Sequence, residues 1–292
     1  MADAALNRFP SGTSWSLAAE AYRLVDQYVS LPLSLDLATA VQEILPLDTP
    51  NALAFDNGCG PGTMVAVLKT LASDLPVVAS DLSEGMIAQL QDRGRELGWK
   101  NVEASVVDAR DLNALSVGAI PEKFSHVFST FMVCLAQEPE KIMKEMFRVM
   151  KPGGILGLGV WAEPYVSFWN DAFTKAAREL EPTYSPVKLM AEQWTFREEV
   201  EKRIREAGFV DVNVWETQKS PTFPNVEQLA AVFIEGRNPA LQKMINSWIV
   251  LGRSMDEMLP LFTKALVELY GRPDGTLVGP VHACLSTARK PS

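Results

Sequence analysis

Short apolar runs alternate along the chain with stretches whose apolar residues recur every three or four positions. The run Leu53–Phe55 is followed by a stretch with Met64, Val65, Leu68 and Leu71 on one helical face. Such runs indicate buried strands, and the helical spacing indicates amphipathic helices that pack against them. This alternation predicts an α/β fold with a doubly wound, mostly parallel sheet. Further strands are predicted at 76–80, 102–107, 124–130 and 155–161.

The second half of the chain adds two strands and several helices. Alternating valines over Val210–Val214 predict a sixth strand, and residues 278–288 predict a final one. Thr195–Glu198 has the pattern of a capping box, which predicts the start of a helix. Pro260 is expected to delay or kink the last helix. Helices are also predicted from Ser14 and at 35–45, 83–98, 139–150, 168–180, 226–235, 240–251 and 255–270.

The first strand runs directly into a glycine-rich loop. Asp56 ends the apolar run, and Gly58, Gly60 and Gly62 follow at alternate positions, with Cys59 among them. Glycine allows a sharp turn and lets a ligand approach the backbone, where a Cβ would collide. The helix that follows presents unpaired N–H groups to such a ligand. The loop therefore predicts a ligand site at the carboxyl end of the first strand.

Composition narrows the class of protein. Apolar residues make up 47% of the 292 residues, so we expect one domain over 1–292 with a sizeable core. The net charge of −9 and the absence of a basic stripe favour a small-molecule substrate over a nucleic acid or a membrane surface. The three cysteines show no zinc pattern, so no metal is expected. The sequence has neither a signal-peptide pattern nor an apolar run approaching the ~18 residues of a membrane span, which predicts a cytoplasmic protein.

Two further acids follow predicted strands. Asp81 ends strand two, close to the spacing of about 20 residues at which a carboxylate meets a ribose in units of this kind. Asp108 ends strand three. With the Asp56–Gly62 loop and the Lys151–Gly154 link before strand five, these residues resemble the motifs of the class I S-adenosylmethionine-dependent methyltransferases. The resemblance covers roughly residues 50–161, over a third of the chain.

The resemblance implies a Rossmann-like, seven-stranded sheet whose antiparallel last strand lies between strands five and six. It also implies S-adenosylmethionine as cofactor, with Asp81 at the ribose and Asp108 and Ala109 at the adenine. The N-terminal Ala-Ala-Glu-Ala-Tyr segment resembles a helix that closes over the cofactor in small-molecule members, although Tyr22 suits the core equally well. The predicted cofactor-binding residues are Tyr22, Asp56, Gly58, Cys59, Gly60, Asp81, Leu82, Met86, Asp108, Ala109 and Thr130.

We expect N-terminal cap helices over 1–49, a cofactor-binding half over 50–161, and substrate-cap insertions at 162–194 and 219–276. The aromatic and aliphatic content of the insertions suits an apolar substrate, although they could instead pack on the core or form a homodimer surface. The predicted reaction is in-line transfer of a methyl group to an O, N, S or C nucleophile of a small molecule, of the kind found in secondary metabolism.

No residue stands out in the sequence as a catalytic base. His282 is a candidate because an antiparallel strand begins where its parallel neighbours end, but an ordinary structural role is the alternative. Glu163 and Tyr165 are comparable candidates, and His126 is expected to be structural. Two other functions stay open. One is a non-methylating protein of the same fold that catalyses a cyclisation or rearrangement. The other is a nicotinamide oxidoreductase, which the glycine spacing argues against.

Overall fold

A computed structural model describes residues 11–115, 121–162, 168–187, 189–190 and 192–292. Its main feature is a seven-stranded sheet, with a separate two-stranded pair beside it. The strands of the large sheet are β1 (Ala54–Asn57), β2 (Val77–Asp81), β3 (Val102–Val106), β4 (Phe124–Thr130), β5 (Met150–Trp161), β6 (Val210–Lys219) and β9 (Val281–Arg289). The small pair consists of β7 (Thr222–Phe223) and β8 (Leu277–Val278).

Helices precede, connect and follow the strands of the sheet. They are α1 (Gly12–Ile44), α2 (Thr63–Leu71), α3 (Glu84–Leu97), α4 (Pro139–Val149), α5 (Phe168–Leu180), α6 (Arg197–Glu206), α7 (Val226–Glu235), α8 (Gln242–Ile249) and α9 (Met255–Tyr270). None of these described helices is both long enough and apolar enough to cross a membrane.

The order of the large sheet is β3-β2-β1-β4-β5-β9-β6. β1 pairs in parallel with β2 and β4, and the pairs β2–β3 and β4–β5 are also parallel. β9 is antiparallel to both neighbours, β5 and β6. The predicted fold class is therefore confirmed, including the place of the last strand. The order reverses direction beside β1, which is where an open sheet of this kind forms a ligand crevice.

Local chemistry explains most of the elements over residues 50–161, although β5 begins at Met150, so that the Lys151–Gly154 segment predicted to precede strand five lies within it. All four residues of β1 are buried, as expected for a central strand with helices on both faces. Ser83 caps α3 by accepting a hydrogen bond from the Met86 N–H. Gly98 ends the same helix in the left-handed conformation, at φ +64.

The two predicted N-terminal helices are wrong, because α1 is one continuous helix of 33 residues. It begins one turn earlier than predicted, with Ser11 and Ser14 forming the capping box. Pro32 lies inside it and removes one backbone donor. Buried apolar residues lie on both sides of that proline, including Val29 and Leu33, and their packing holds the helix together. The first ten residues of the predicted cap-helix segment 1–49 lie outside the described part of the chain.

Three boundaries differ from the predictions for the second half. α6 starts at Arg197 with Phe196 as N-cap, so the Thr195 capping box is wrong, and Thr195 is buried instead. Pro260 lies within α9 and does not delay the start of that helix at Met255. The predicted last strand is divided, because Pro280 has no N–H to donate: residues 277–278 pair with 222–223, and β9 begins after the proline.

The C-terminal helices form a small cap with its own aromatic packing. α9 contacts both α5 and α7, and α1 contacts α7. Trp169 and Phe233 have ring centroids 5.0 Å apart, and Phe233 lies 6.4 Å from Phe262. The cap is therefore attached to the N-terminal helix by packed side chains.

Candidate active site

A cavity of about 910 Å³ lies at the carboxyl ends of β1, β2 and β4. We call it the glycine-loop cavity. It brings together every predicted cofactor-binding residue except Asp56 and Cys59. Its lining residues are Trp15, Tyr22, Gly58, Gly60, Asp81, Leu82, Met86, Val107, Asp108, Ala109, Arg110, Thr130, Phe131, Met132, Leu135, Ala136, Gln137 and Ile142.

The glycine loop is held by hydrogen bonds to the end of β2. The N–H groups of Gly58 and Cys59 both donate to the Ser80 carbonyl, at 2.8 and 2.9 Å. The Gly60 N–H donates to Asp81 Oδ2 at 2.9 Å. Gly60 has a φ of +52, and a Cβ built on it would have no heavy atom within 4 Å. The loop thus presents bare backbone to the cavity at this position.

Asp81 joins the glycine loop to the start of α3. Its Oδ1 accepts the Ser83 N–H at 2.9 Å, while Oδ2 accepts the Gly60 N–H. Burial raises the pKa of this carboxyl, and hydrogen bonds from the backbone of Gly60, Ser83 and Leu82 oppose that shift. Each oxygen retains lone pairs for further donors, as a pair of sugar hydroxyls would require.

Asp108 is held by a neighbour that sequence reasoning missed. Arg110 Nη2 lies 2.6 Å from Asp108 Oδ2, and Arg110 Nε lies 3.0 Å from Oδ1. This bidentate pair lowers the pKa of Asp108. Arg110 also reaches Glu138 at 3.1 Å. A cation two residues after a predicted adenine-binding acid was a visible signal in the sequence. Asp111 caps the short turn that follows, because its side chain accepts the Asn113 N–H.

The start of α1 is attached to the start of α3 and lies over the cavity. Ser16 Oγ lies 2.9 Å from Ser83 Oγ and accepts the Gly85 N–H at 3.1 Å. Trp15 and Tyr22 pack edge to face, with centroids 5.8 Å apart. Both rings line the glycine-loop cavity. The structure therefore places Tyr22 in the cavity wall, and its contact with the cofactor stays a prediction.

Asp56 precedes the glycine loop and Cys59 belongs to it, but neither residue lines the cavity. Asp56 is fully buried, and neither of its carboxyl oxygens has a hydrogen-bond partner in the described part of the chain. Burial, together with the nearby carboxyl groups of Asp81 and Asp26, raises the pKa of Asp56 to about 8. Burial also raises the pKa of the Cys59 thiol, which fits a packed residue and not a nucleophile.

A second cavity of about 650 Å³ lies beside the first, and we call it the cap cavity. The two cavities share Trp15, Tyr22 and Leu135. The remaining lining comes from α1, the end of β5, α5 and the cap segments, and most of it is aromatic or aliphatic. These residues are Ala21, Val25, Asp26, Val29, Ser30, Trp161, Trp169, Leu189, Met190, Val232, Phe233, Asn238, Ala240 and Leu241.

The histidines do not contribute to either cavity lining. His126 is buried, with Nδ1 2.9 Å from Ser125 Oγ and Nε2 3.0 Å from the Leu45 carbonyl oxygen, which is the expected structural role. His282 lies in β9 opposite Gln218, and the structure does not bring it to the predicted site. Glu163 and Tyr165 lie outside the described residues.

The glycine-loop cavity fits S-adenosylmethionine. The open space at Gly60 admits a ligand to the backbone, and Asp81 offers acceptors beside it. Trp15, Phe131 and Met132 supply apolar walls suited to an adenine ring. Within the described residues, no group of three or more His, Cys, Asp or Glu side chains is placed to hold a metal ion.

Comparisons with known proteins find similarity to methyltransferases. Residues 54–154 match the methyltransferase domain family. The chain is 27% identical over 265 residues to methyltransferase ktnA of Aspergillus niger, covering 82% of this chain and 84% of that one. It is 25% identical over 251 residues to the acetylaranotin bis-thiomethyltransferase of Aspergillus terreus, covering 81% of each.

A solved structure shows the same fold. The phosphoethanolamine N-methyltransferase 2 of Haemonchus contortus, in complex with S-adenosylhomocysteine, superposes with a TM-score of 0.51 at 19% identity. The match covers 88% of this chain and 52% of that one. The fold is the one found in Rossmann-like methyltransferases. The chain carries a methyltransferase domain and is an S-adenosylmethionine-dependent methyltransferase.

Proposed function

We propose that the protein transfers the methyl group to an O, N, S or C nucleophile of a small, largely apolar molecule bound in the cap cavity. The observation that carries this proposal is the shared wall: Trp15, Tyr22 and Leu135 line both cavities. A substrate in the cap cavity would therefore adjoin a cofactor in the glycine-loop cavity. The net charge of −9 further disfavours a polyanionic substrate.

The chain contributes binding, alignment and exclusion of water. Gly58 and Gly60 would receive the cofactor against the backbone, Asp81 would accept from its ribose hydroxyls, and Asp108 with Ala109 would meet its adenine. The bound cofactor supplies an activated methyl group on a sulfonium. Trp161, Trp169 and Phe233 would hold the substrate in a dry environment and orient it for in-line attack.

Two substitutions test the two cavities separately. Asp81→Ala should reduce the affinity for S-adenosylmethionine by about 100-fold in isothermal titration, because two charge-assisted contacts disappear. Val232→Trp should fill the cap cavity, abolish turnover and leave cofactor affinity within about twofold of wild type. Turnover is measured as S-adenosylhomocysteine formed with a panel of small apolar alcohols, thiols and amines.

Matched surface variants control for general damage. Asp74 and Val267 are exposed, so Asp74→Ala and Val267→Trp should leave binding and turnover unchanged. A wild-type protein that binds the cofactor but methylates no member of the panel would contradict the proposal. Full turnover in Val232→Trp would exclude the cap cavity as the substrate site.

A further inference from the structure

One carboxylate lies in the mainly apolar lining of the cap cavity. Asp26, on α1, is only 4% exposed and is the single Asp or Glu among the described residues that line this cavity. It follows Tyr22 by four residues and therefore lies on the same face of the helix. Tyr22 lines both cavities, so Asp26 is close to the junction where methyl transfer is proposed to occur.

The carboxylate of Asp26 is incompletely paired. Its Oδ2 has no hydrogen-bond partner within the described ranges, and its nearest cation, Arg93 Nη1, is 3.9 Å away. That separation is too long for a hydrogen bond. A buried acceptor without a partner costs free energy, which a bound ligand with a suitable donor would recover. Trp169 Nε1 is a buried donor in the same lining, and it too lacks a partner in the described structure.

We propose that Asp26 is the general base of the methyl transfer, and that the substrate presents to it a neutral nucleophile that still carries its proton. This inference rests on the proposed function. The proton passes to the carboxylate as the electron pair of the nucleophile bonds to the methyl carbon. The electron pair of the broken S–CH₃ bond stays on sulfur, so the leaving thioether is neutral. Asp26 then returns the proton to solvent.

The burial of Asp26 and the charged groups around it give its carboxyl a pKa that suits a general base. The charged and titratable groups that face it are Tyr22 on its own helix, Arg93 on α3 and Asp56 on β1. Burial raises the pKa of Asp26 to about 6, while Arg93 and a hydrogen bond from Ser30 oppose the shift. The group is therefore largely ionised at neutral pH yet basic enough to accept a proton, as general-base catalysis requires.

The same surroundings favour a neutral nucleophile over an anionic one. A carboxylate nucleophile would place a second negative charge beside Asp26 in an apolar cavity, which is unfavourable. A hydroxyl or another neutral X–H group would instead donate to Oδ2. An acceptor elsewhere on the substrate would pair with the Trp169 donor. The fitting ligand is thus a mainly apolar ring compound with one X–H donor and one acceptor.

The first test needs no variant. Wild-type protein loaded with S-adenosylhomocysteine is titrated with 2-naphthol and with 2-methoxynaphthalene. In the second compound a methyl ether replaces the proton-bearing hydroxyl. Binding is followed by tryptophan fluorescence, since Trp15, Trp161 and Trp169 line the cap cavity. We expect 2-naphthol to bind about tenfold more tightly at about pH 8, and this preference to decline as the pH falls through about 6.

The second test compares Asp26→Asn with Asp26→Glu, which retains a carboxylate. In Asp26→Asn, methyl transfer to 2-naphthol should slow by about 100-fold, whereas transfer to the already ionised 2-naphthalenethiol should not slow, because it needs no base and the loss of the Asp26 charge removes a repulsion. Asp26→Glu should recover part of the loss with naphthol. The rate of methyl transfer to naphthol by the wild type should increase as the pH rises through about 6. This increase should be absent in Asp26→Asn.

Several results would overturn the inference. Equal affinity of the wild type for the two naphthalenes would do so, as would equal slowing with naphthol and thiol in Asp26→Asn. Loss of cofactor affinity in Asp26→Asn without recovery in Asp26→Glu would assign Asp26 a structural role. If Asp26→Asn does not fold, the wild-type preference for naphthol and its pH dependence decide the question. A wild type that does not bind S-adenosylmethionine would instead contradict the proposed function itself.

Discussion

The two cavities are built in different ways. In the glycine-loop cavity, the central contacts come from backbone groups and from acids at the ends of β2 and β3, all within one continuous stretch of chain. The cap cavity is assembled from side chains of α1, α5, α7 and β5, which are far apart in sequence. The glycine-loop cavity therefore depends mainly on backbone conformation, whereas the cap cavity depends on side-chain packing. Each should therefore respond to a different kind of change.

The cap should be the more sensitive to loss of packing. Phe233 is 3% exposed and packs on Phe168, Trp169 and Phe262. Phe233→Ala should lower the free energy of unfolding by about 3–5 kcal/mol, because it leaves a cavity among these rings. Chemical denaturation measures this loss, and titration should show cofactor affinity unchanged within about twofold. A strong loss of cofactor affinity would mean that the two cavities are coupled.

The end of β1, just before the glycine loop, should be sensitive to pH. The pKa of Asp56 is raised in the folded protein to about 8, so the native state holds a proton that the unfolded state releases. The associated stability is fully present below the unfolded pKa of about 4 and is lost as the pH rises through 8. Asp56→Asn should flatten this decline, which we expect to be on the order of 3 kcal/mol between about pH 5 and about pH 8.

Denaturation of the cofactor-free protein at the two pH values measures the effect of Asp56→Asn. Asp26 contributes a smaller decline of the same sign, because its pKa is also raised. Asp48 is exposed, and Asp48→Asn should keep the wild-type profile. An unchanged slope in Asp56→Asn would show that Asp56 is not the source of the pH dependence.

The glycine loop should be sensitive to a single methyl group. Gly60 and Gly98 both have positive φ values, and a Cβ at either would meet no heavy atom within 4 Å. Of these two glycines, only Gly60 lines the glycine-loop cavity. Each Ala substitution should cost about 1 kcal/mol of stability. Gly60→Ala alone should also weaken cofactor binding, by about 100-fold, because its Cβ would occupy ligand space. Equal affinities in the two variants would contradict this account of the loop.

The smallest effect is expected at the rim of the glycine-loop cavity. Arg110 orients the Asp108 carboxylate through its bidentate contact. Arg110→Gln should raise the pKa of Asp108 toward its ordinary value and weaken cofactor binding by about fivefold. Arg95 pairs with Asp92 on the exposed face of α3, so Arg95→Gln is the matched control. Tighter cofactor binding in Arg110→Gln would show that Arg110 competes for Asp108 instead of positioning it.

Much of the glycine-loop cavity was predictable because its residues follow local rules. The loop follows β1, Asp81 is the last residue of β2, and Asp108 comes two residues after β3, and parallel strands bring such ends together. Asp26 was missed although an acid between Tyr22, Val25 and Val29 on an apolar helix face was a visible signal. Nothing in that spacing showed which element would pack against the face. The continuity of α1 through Pro32 was missed for the same reason.

The sequence by itself determined the strand–helix alternation, the turns that need glycine, and the acids at the strand ends. These features depend on residue conformation and on the two-residue and 3.6-residue periods of neighbouring side chains. Only the tertiary structure decided that His282 lies away from both cavities and that Asp26 lies in the cap cavity. It also brought α1, β5, α5 and α7 around one apolar space. Contacts between distant segments depend on the joint packing of many side chains, which no local pattern records.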